Sequence, residues 1–279
     1  MIINMHNPND NKYFNMLQKA RGIKLISKHL PDLIVHKQLY VINTIEEWNK
    51  IKDKFPETVT IRTDNKNGSP IPNIGGTTCP KDNAEQYFKR AFSIEKEPYF
   101  LCMELEKNTG ERIDTSGGMV IDATIGEMIY IGYVGPCFDC RELTKGKAEH
   151  ETWAIPWNDL LFIKSSDLYQ YHLQTISQQA YKPTAIERMK FLISEYPERR
   201  EEIIKKMPKQ YNKVNPIIME NLLEQVLMPL YMRKEELLKD GLNKFDVELN
   251  VLSNKRFIPM EICRPERFIK RDREDDESR

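Results

Sequence analysis

Two glutamates near the end of the chain have the types and spacing for metal chemistry. Glu248 lies in Lys244–Leu252, where Phe245, Val247, Leu249 and Val251 alternate with Asp246, Glu248 and Asn250. That two-residue period predicts a half-buried strand. The polar run Ser253–Arg256 reads as a hairpin loop, and Phe257–Cys263 as the returning strand. If Leu252 pairs with Phe257, counting inward sets Leu249 against Met260 or its neighbour and Glu248 directly against Glu261. Two carboxylates opposite one another on one sheet face repel. Such a pair is tolerated where a cation lies between them, or where both are solvated on an exposed hairpin. Hard oxygen donors at this spacing suit Mg²⁺, which takes one or two carboxylates plus substrate phosphates. Arg264 follows, and its guanidinium is shaped for a bidentate grip on phosphate.

Other residues with phosphate-binding chemistry lie in the first third. Thr58–Asp64 reads as a β-branched strand carrying Arg62 near its end. A loop is expected from Asn65 to Pro80, centred on Gly75-Gly76-Thr77-Thr78. Adjacent glycines let backbone N–H groups approach an anion, and the two hydroxyls add donors; a plain turn is the alternative. Cys137 and Cys140 form one Cys-x-x-Cys without a second ligand pair of similar spacing, so neither zinc nor redox chemistry is assigned to them.

The elements that would position these residues follow from pattern. Thr44 caps a helix with Glu46 and Glu47 in its first turn and Trp48, Ile51 and Phe55 on one face. Asp82 opens a second helix through about Ile94. Pro98–Leu105 reads as a strand, and Gly117–Asp122 with Glu127–Tyr133 as a hairpin around Thr124-Ile125-Gly126. Apolar residues at helical spacing predict a helical insert over 165–241: a helix from Ser165 or Ser166 to Tyr181, then two more. The last is kinked or broken at Pro229 and stopped at Gly241. The tail at 269–279 is nearly all charged and is expected to be disordered.

Composition narrows the function classes. The 279 residues carry 42 basic and 42 acidic side chains, which argues against a broad nucleic-acid face. No apolar run reaches the roughly 18 residues of a membrane span. Met1–His6 has no charged region leading into an apolar core, and an odd count of 5 cysteines fits a reduced, cytoplasmic protein.

In order, these parts resemble the ATP-grasp fold, and within it the nucleotide-binding domain of the phosphoenolpyruvate synthase and pyruvate phosphate dikinase group. Gly22-Ile23-Lys24-Leu25-Ile26 is similar to that family's opening lysine stretch. Thr60-Ile61-Arg62-Thr63 is similar to its strand ending in Arg, and Gly75–Thr78 to its glycine loop. Met103-Glu104 with Ser116-Gly117-Gly118 is similar to the next strand and Ser-Gly step, and Phe245–Glu248 with Ile262–Pro265 to the closing hairpin. The resemblance implies an α+β protein of two α/β subdomains clasping a nucleotide. These are 1–97, carrying the phosphate ligands, and 98–268, with the helical insert. It implies ATP and Mg²⁺ as cofactors. Lys24, Arg62 and Arg264 would meet the phosphates, and Gly75, Gly76, Thr77 and Thr78 would close over them. Glu104 would meet adenine or ribose, and Glu248 and Glu261 would hold the metal. Arg62 and Arg264 would also stabilise the charge that spreads in the reaction.

There are departures. Ile262 stands where the dikinases place a glutamine, and Glu261-x-Cys263 resembles the Glu-x-Asn metal pair of ATP-grasp carboxylate–amine ligases with Cys in the Asn position. The expected activity is therefore ligation through an acyl phosphate, with a small-molecule or carrier-bound acceptor. The alternatives are a phosphotransferase acting on a small molecule or separate carrier, and a nucleotide-binding module without catalysis. No internal phosphohistidine carrier is expected, and neither a nucleic-acid nor a membrane partner.

Overall fold

In a computed structural model the protein is α+β, with two antiparallel sheets and helices packed on them. Described are residues 3–4, 18–33, 38–55, 57–64, 76–94, 99–104, 115–135, 140, 143, 150–176, 193–194, 197–201, 204, 216–252 and 256–263. The chain divides into two units: 1–25 with 35–110, and 26–34 with 111–279.

The first unit is built on a sheet of β1 (Ile3–Asn4), β2 (Gln38–Ile42), β3 (Thr58–Asp64), β4 (Thr77–Pro80) and β5 (Tyr99–Glu104), in the order β1-β2-β5-β3-β4. The strand Tyr99–Glu104, expected to open the second subdomain, instead pairs with both β2 and β3. This moves the expected division at 97/98 to 110/111, because a strand hydrogen-bonded on both edges cannot leave its sheet. Two helices cover one face: α2 (Ile45–Ile51) and α3 (Ala84–Ile94). Trp48, Ile51, Phe55, Ala84, Phe88 and Ala91 pack there on Tyr40, Ile42, Val59, Ile61, Phe100 and Cys102. Rings meet at 5.3 Å between Trp48 and Phe88 and at 5.0 Å between Phe88 and Phe100, within the range of favourable aromatic pairing. Ala20 and Ile23 of α1 (Gln18–His29) pack on Leu39, Val41, Leu101 and Met103.

Local chemistry accounts for the helix ends. The Glu47 N–H donates to Thr44 Oγ1 at 3.1 Å, and the Asn43 N–H to Glu47 Oε2 at 2.9 Å, a reciprocal cap. The start of α1 is capped from 44 and 45 residues away. The N–H groups of Ala20 and Lys19 donate to Asp64 Oδ2 and Oδ1 at 2.9 and 3.2 Å, and Lys19 Nζ donates to the Thr63 carbonyl at 2.8 Å.

The second unit is built on β6 (Thr115–Thr124), β7 (Met128–Val134), β8 (His150–Pro156), β9 (His172–Ile176), β10 (Lys244–Leu252) and β11 (Phe257–Cys263). Their order is β11-β10-β6-β7-β8-β9, all antiparallel neighbours. The turn between β6 and β7 closes with the Glu127 N–H on the Thr124 carbonyl at 3.0 Å, and Gly126 takes the positive φ of 82°.

The insert at 165–241 is only partly helical. The helix expected from Ser165 or Ser166 to Tyr181 is replaced by a 3₁₀ segment, Ser165–Tyr171, and the edge strand β9, where backbone pairing with β8 wins over helical spacing. The region 177–192 lies outside the described residues, and of the second expected helix, 184–207, only 193–194, 197–201 and 204 are described. Pro216–Leu222 (α4) and Met228–Met232 (α5) are joined by a π-helical turn, Leu223–Leu227. This widened turn precedes Pro229, relieving its ring's clash with the preceding turn, so the helix passes the proline rather than breaking. A last helix, α6 (Lys234–Lys239), ends at Gly241, with φ of 73°. There the Leu242 N–H donates to the Leu237 carbonyl and the Gly241 N–H to the Leu238 carbonyl, both at 2.9 Å, while Leu237 and Leu242 are buried. His29 Nε2 donates to Asp240 Oδ2 at 2.7 Å, and Lys28 Nζ donates to the same carboxylate. Among the described residues, no helix is long and apolar enough to cross a membrane. The tail at 269–279 lies outside the described residues.

Candidate functional site

β10 is buried on both faces, not on one as its alternation implies. Phe245, Val247, Leu249 and Val251 are fully enclosed on one side. On the other, Asp246, Glu248 and Asn250 are 3, 7 and 8 % exposed. The strand lies between β6 and β11, and Cys140 packs on its polar face against Glu248 and Asn250, so that face meets further chain. Buried carboxylates are costly unless an opposite charge or a set of donors meets them.

Glu248 and Glu261 pair directly across β10 and β11, as the sequence predicts, but the register reaches that point by a different route. Near the loop, Val251 rather than Leu252 faces Phe257, and Pro259 rather than Met260 faces Leu249. A bulge at Met260, opposite the Glu248–Leu249 step, takes up the one-residue difference. β11 is an edge strand, which accommodates Pro259.

Around this pair the ladder adds more polar groups. Asp246 is flanked by Asp122 on β6 and Cys263 on β11. Burial, then the charges of Asp122 and Glu248, push the Asp246 carboxyl up to about 7. The Cys140 N–H donates to Asn250 Oδ1 at 3.0 Å, and Cys140 Sγ lies 3.9 Å from Glu248 Oε2. One ligand atom each from Glu248, Glu261 and Cys263 lie within 4.8 Å of one another.

The two carboxylates fit a hard divalent cation: both are buried, and their oxygens converge within reach of one ion. The thiol of Cys263 does not belong to such a set, since Mg²⁺ takes oxygen ligands.

The other expected site residues divide by unit. Lys24 lies on α1 and Arg62 on β3, both partly buried and both in the first unit. Glu104 ends β5 opposite Gln38, in the same unit. Gly76 lies tight against β3: a Cβ there would stand 3.1 Å from the Ile61 carbonyl oxygen and 3.7 Å from Arg62 Cγ. The loop expected to Pro80 stops short. Thr77 and Thr78 form β4, paired with Ile61 and Thr60, and the Thr60 and Thr78 hydroxyls bond at 2.9 Å. Thr77 and Thr78 are therefore strand residues rather than the free loop expected, and a closing role for them would carry β4 along. Gly75 and Arg264 lie outside the described residues.

Sequence reasoning missed Asp246, Asn250 and Asp122 as site neighbours, and set Cys140 aside. Asp246 and Asn250 were within reach, because residues two apart on a strand share a face. Cys140 was not, being 108 residues from Glu248 in the chain.

No family model matches the chain, and no curated protein matches it. Among solved structures the chain is similar to the macrocyclase MdnC bound with precursor peptide MdnA, from Microcystis aeruginosa MRC: 13% identity, 90% of this chain and 51% of that one, TM-score 0.37. It is similar to D-alanyl-alanine synthetase A from Vibrio cholerae O1 biovar eltor: 11% identity, 94% and 58% of the two chains, TM-score 0.36. It is also similar to the C-terminal domain of Pby1 from K. lactis, an ATP-grasp enzyme interacting with the mRNA decapping enzyme Dcp2: 10% identity, 87% and 62%, TM-score 0.34. The chain thus spans between about half and three-fifths of the length of these solved structures.

Proposed function

We propose that the chain is an ATP-grasp enzyme that uses ATP and a divalent cation to activate a carboxylate for ligation to an amine. The observation that carries this reading is the buried Glu248–Glu261 pair, since two adjacent enclosed carboxylates call for a cation. Glu248 and Glu261 would hold that ion. When bound it screens the triphosphate and makes the γ-phosphorus a better electrophile. Lys24 and Arg62, with Arg264, would neutralise phosphate oxygens and orient the chain of phosphates, which is most of what phosphoryl transfer asks of a protein. Gly76 would bring backbone N–H groups near Arg62, and Glu104 would meet adenine or ribose.

In this reading a substrate carboxylate oxygen bonds to the γ-phosphorus as the bond to the β-γ bridging oxygen breaks, releasing ADP. An amine nitrogen then attacks the acyl carbon, phosphate leaves, and the amine proton passes to a base. The acceptor is a small molecule or a group on a carrier.

The test measures ADP formation by the purified chain across carboxylate and amine pairs, beside Glu248→Gln. ADP appearing only with both substrates, and lost in Glu248→Gln with the melting curve retained, is the expected result. A stable phosphorylated product formed without an amine would assign phosphotransfer instead. ATP binding with no turnover of any acceptor would leave a binding module. Unchanged rates in Glu248→Gln would remove the metal assignment.

A further inference from the structure

We propose that Cys263 sets the cation preference of this site, so that it holds a thiophilic divalent ion such as Zn²⁺ or Cd²⁺ more tightly than Mg²⁺. This rests on Glu248 and Glu261 being cation ligands, the reading given above.

The argument begins with position. Cys263 is paired with Asp246 on the same ladder that sets Glu261 against Glu248. Residues 261 and 263 are two apart on β11 and therefore share a face. The Met260 bulge lies on the loop side of both, so it fixes their phase together. The result is a sulfur and two carboxylate oxygens within 4.8 Å of one another, a triangle one ion can engage with all three donors.

Donor chemistry then decides which ion. Zn²⁺ accepts mixed sulfur and oxygen sets in four-coordinate sites, whereas Mg²⁺ demands oxygen in near-octahedral array. For a given set of donors, affinity also rises along the first row toward the later metals. A second sulfur lies close by. Cys140 Sγ is 3.9 Å from Glu248 Oε2, and its backbone is tied to Asn250, so Glu248 has a thiol nearby from each of two segments. Neither Cys140 nor Cys263 is in a disulfide. Asp246 stands opposite Cys263 on the ladder, with Asp122 on its other side. On binding, the Cys263 thiol gives its proton to solvent and a metal–sulfur bond forms. An ion so held would occupy the position that the nucleotide's Mg²⁺ needs, and Zn²⁺ would inhibit at concentrations far below those at which Mg²⁺ binds.

The experiment titrates the chelator-treated full chain with Cd²⁺, reading thiolate-to-cadmium charge-transfer absorption in the ultraviolet. Zn²⁺ and Mg²⁺ serve as competitors, and Glu248→Gln, Cys263→Ser and Cys140→Ser as variants. One Cd²⁺ per chain is expected, displaced by Zn²⁺ at similar concentration and by Mg²⁺ only in large excess. Cys263→Ser should lose the band and at least about tenfold in Cd²⁺ affinity, as loss of one ligand does. Cys140→Ser should keep the band. Cys263→Asn should bind Mg²⁺ more tightly than the native chain. An unchanged band in Cys263→Ser, or Mg²⁺ displacing Cd²⁺ at equal concentration, overturns the inference. If Glu248→Gln weakens both Cd²⁺ and Mg²⁺ binding while Cys263→Ser alters neither, the acidic site stands and only the sulfur assignment falls. If Glu248→Gln alters neither ion's binding, the acidic site falls as well.

Discussion

Removing the Asp64 carboxylate should loosen the element that carries Lys24. Asp64 ends β3, two residues after Arg62, and receives the Ala20 and Lys19 N–H groups of α1 at 2.9 and 3.2 Å. It is 2 % exposed, and its contact with Ala20 is buried. In Asp64→Ala both donors lose that acceptor at a helix start, where no intrahelical carbonyl can replace it. Each enclosed donor left unmet costs about 1–3 kcal/mol, and the N-terminal dipole loses its anion. The Lys19 amide is only partly buried and regains water, so the total should be on the order of 2–4 kcal/mol. Asp64→Asn keeps one acceptor oxygen and should cost roughly half as much. Urea unfolding of the three proteins measures this, with the m-value checking that the same surface is exposed. Amide exchange should also quicken at Lys19 and Ala20 while the β3–β5 ladder stays protected. A loss below about 0.5 kcal/mol in Asp64→Ala would show that water or another group caps α1, and the account of how α1 is anchored would be wrong.

Two further outcomes follow from the structure. Gly117→Ala should destabilise severely, by about 3 kcal/mol or more, because φ there is 145° and the new methyl would lie 2.2 Å from the Val134 carbonyl oxygen and 2.6 Å from Tyr133 Cε2; a melting point within a few degrees of the native one would refute the contact. Stability should fall as pH drops below about 6.5, because burial holds the His29 imidazole below its ordinary value against the opposing pull of Asp240, so the unfolded chain binds the proton first. Asp240 adds a second loss further down: burial raises it, but Lys28 and His29 outweigh that and hold it below 3.8, so its contribution is present above that value and goes as pH falls through the lowered one. His29→Gln should flatten the upper part of a melting-point profile just below about pH 6.5, and an unchanged slope would reassign it.

What was legible in the sequence depended on how local its cause is. Thr44 and Glu47 lie three residues apart, and Leu237, Gly241 and Leu242 within six residues of chain; local sequence encodes both helix ends. The Glu248–Glu261 register was legible because a hairpin is short, although the route to it through Met260 was not. Nothing in Thr77-Thr78-Cys79-Pro80 announces a strand, since its pairing comes wholly from β3. Asp64 looked like the polar end of a strand because the helix it caps lies 44 residues earlier. The second buried face of β10 needed β6, Cys140 and β11 around it before its acids could be seen as enclosed.

The extra residue at Met260 separates two jobs that a plain hairpin would yoke together. A change in the length of the connection between Leu252 and Phe257 would ordinarily slide every side chain beyond it to the opposite face. Here an irregularity already absorbs one step of offset before Glu261 is reached. Continued without it, the loop-side register would set Met260 against Glu248 and Glu261 against Val247 on the apolar face, so the extra residue is what brings the two acids face to face.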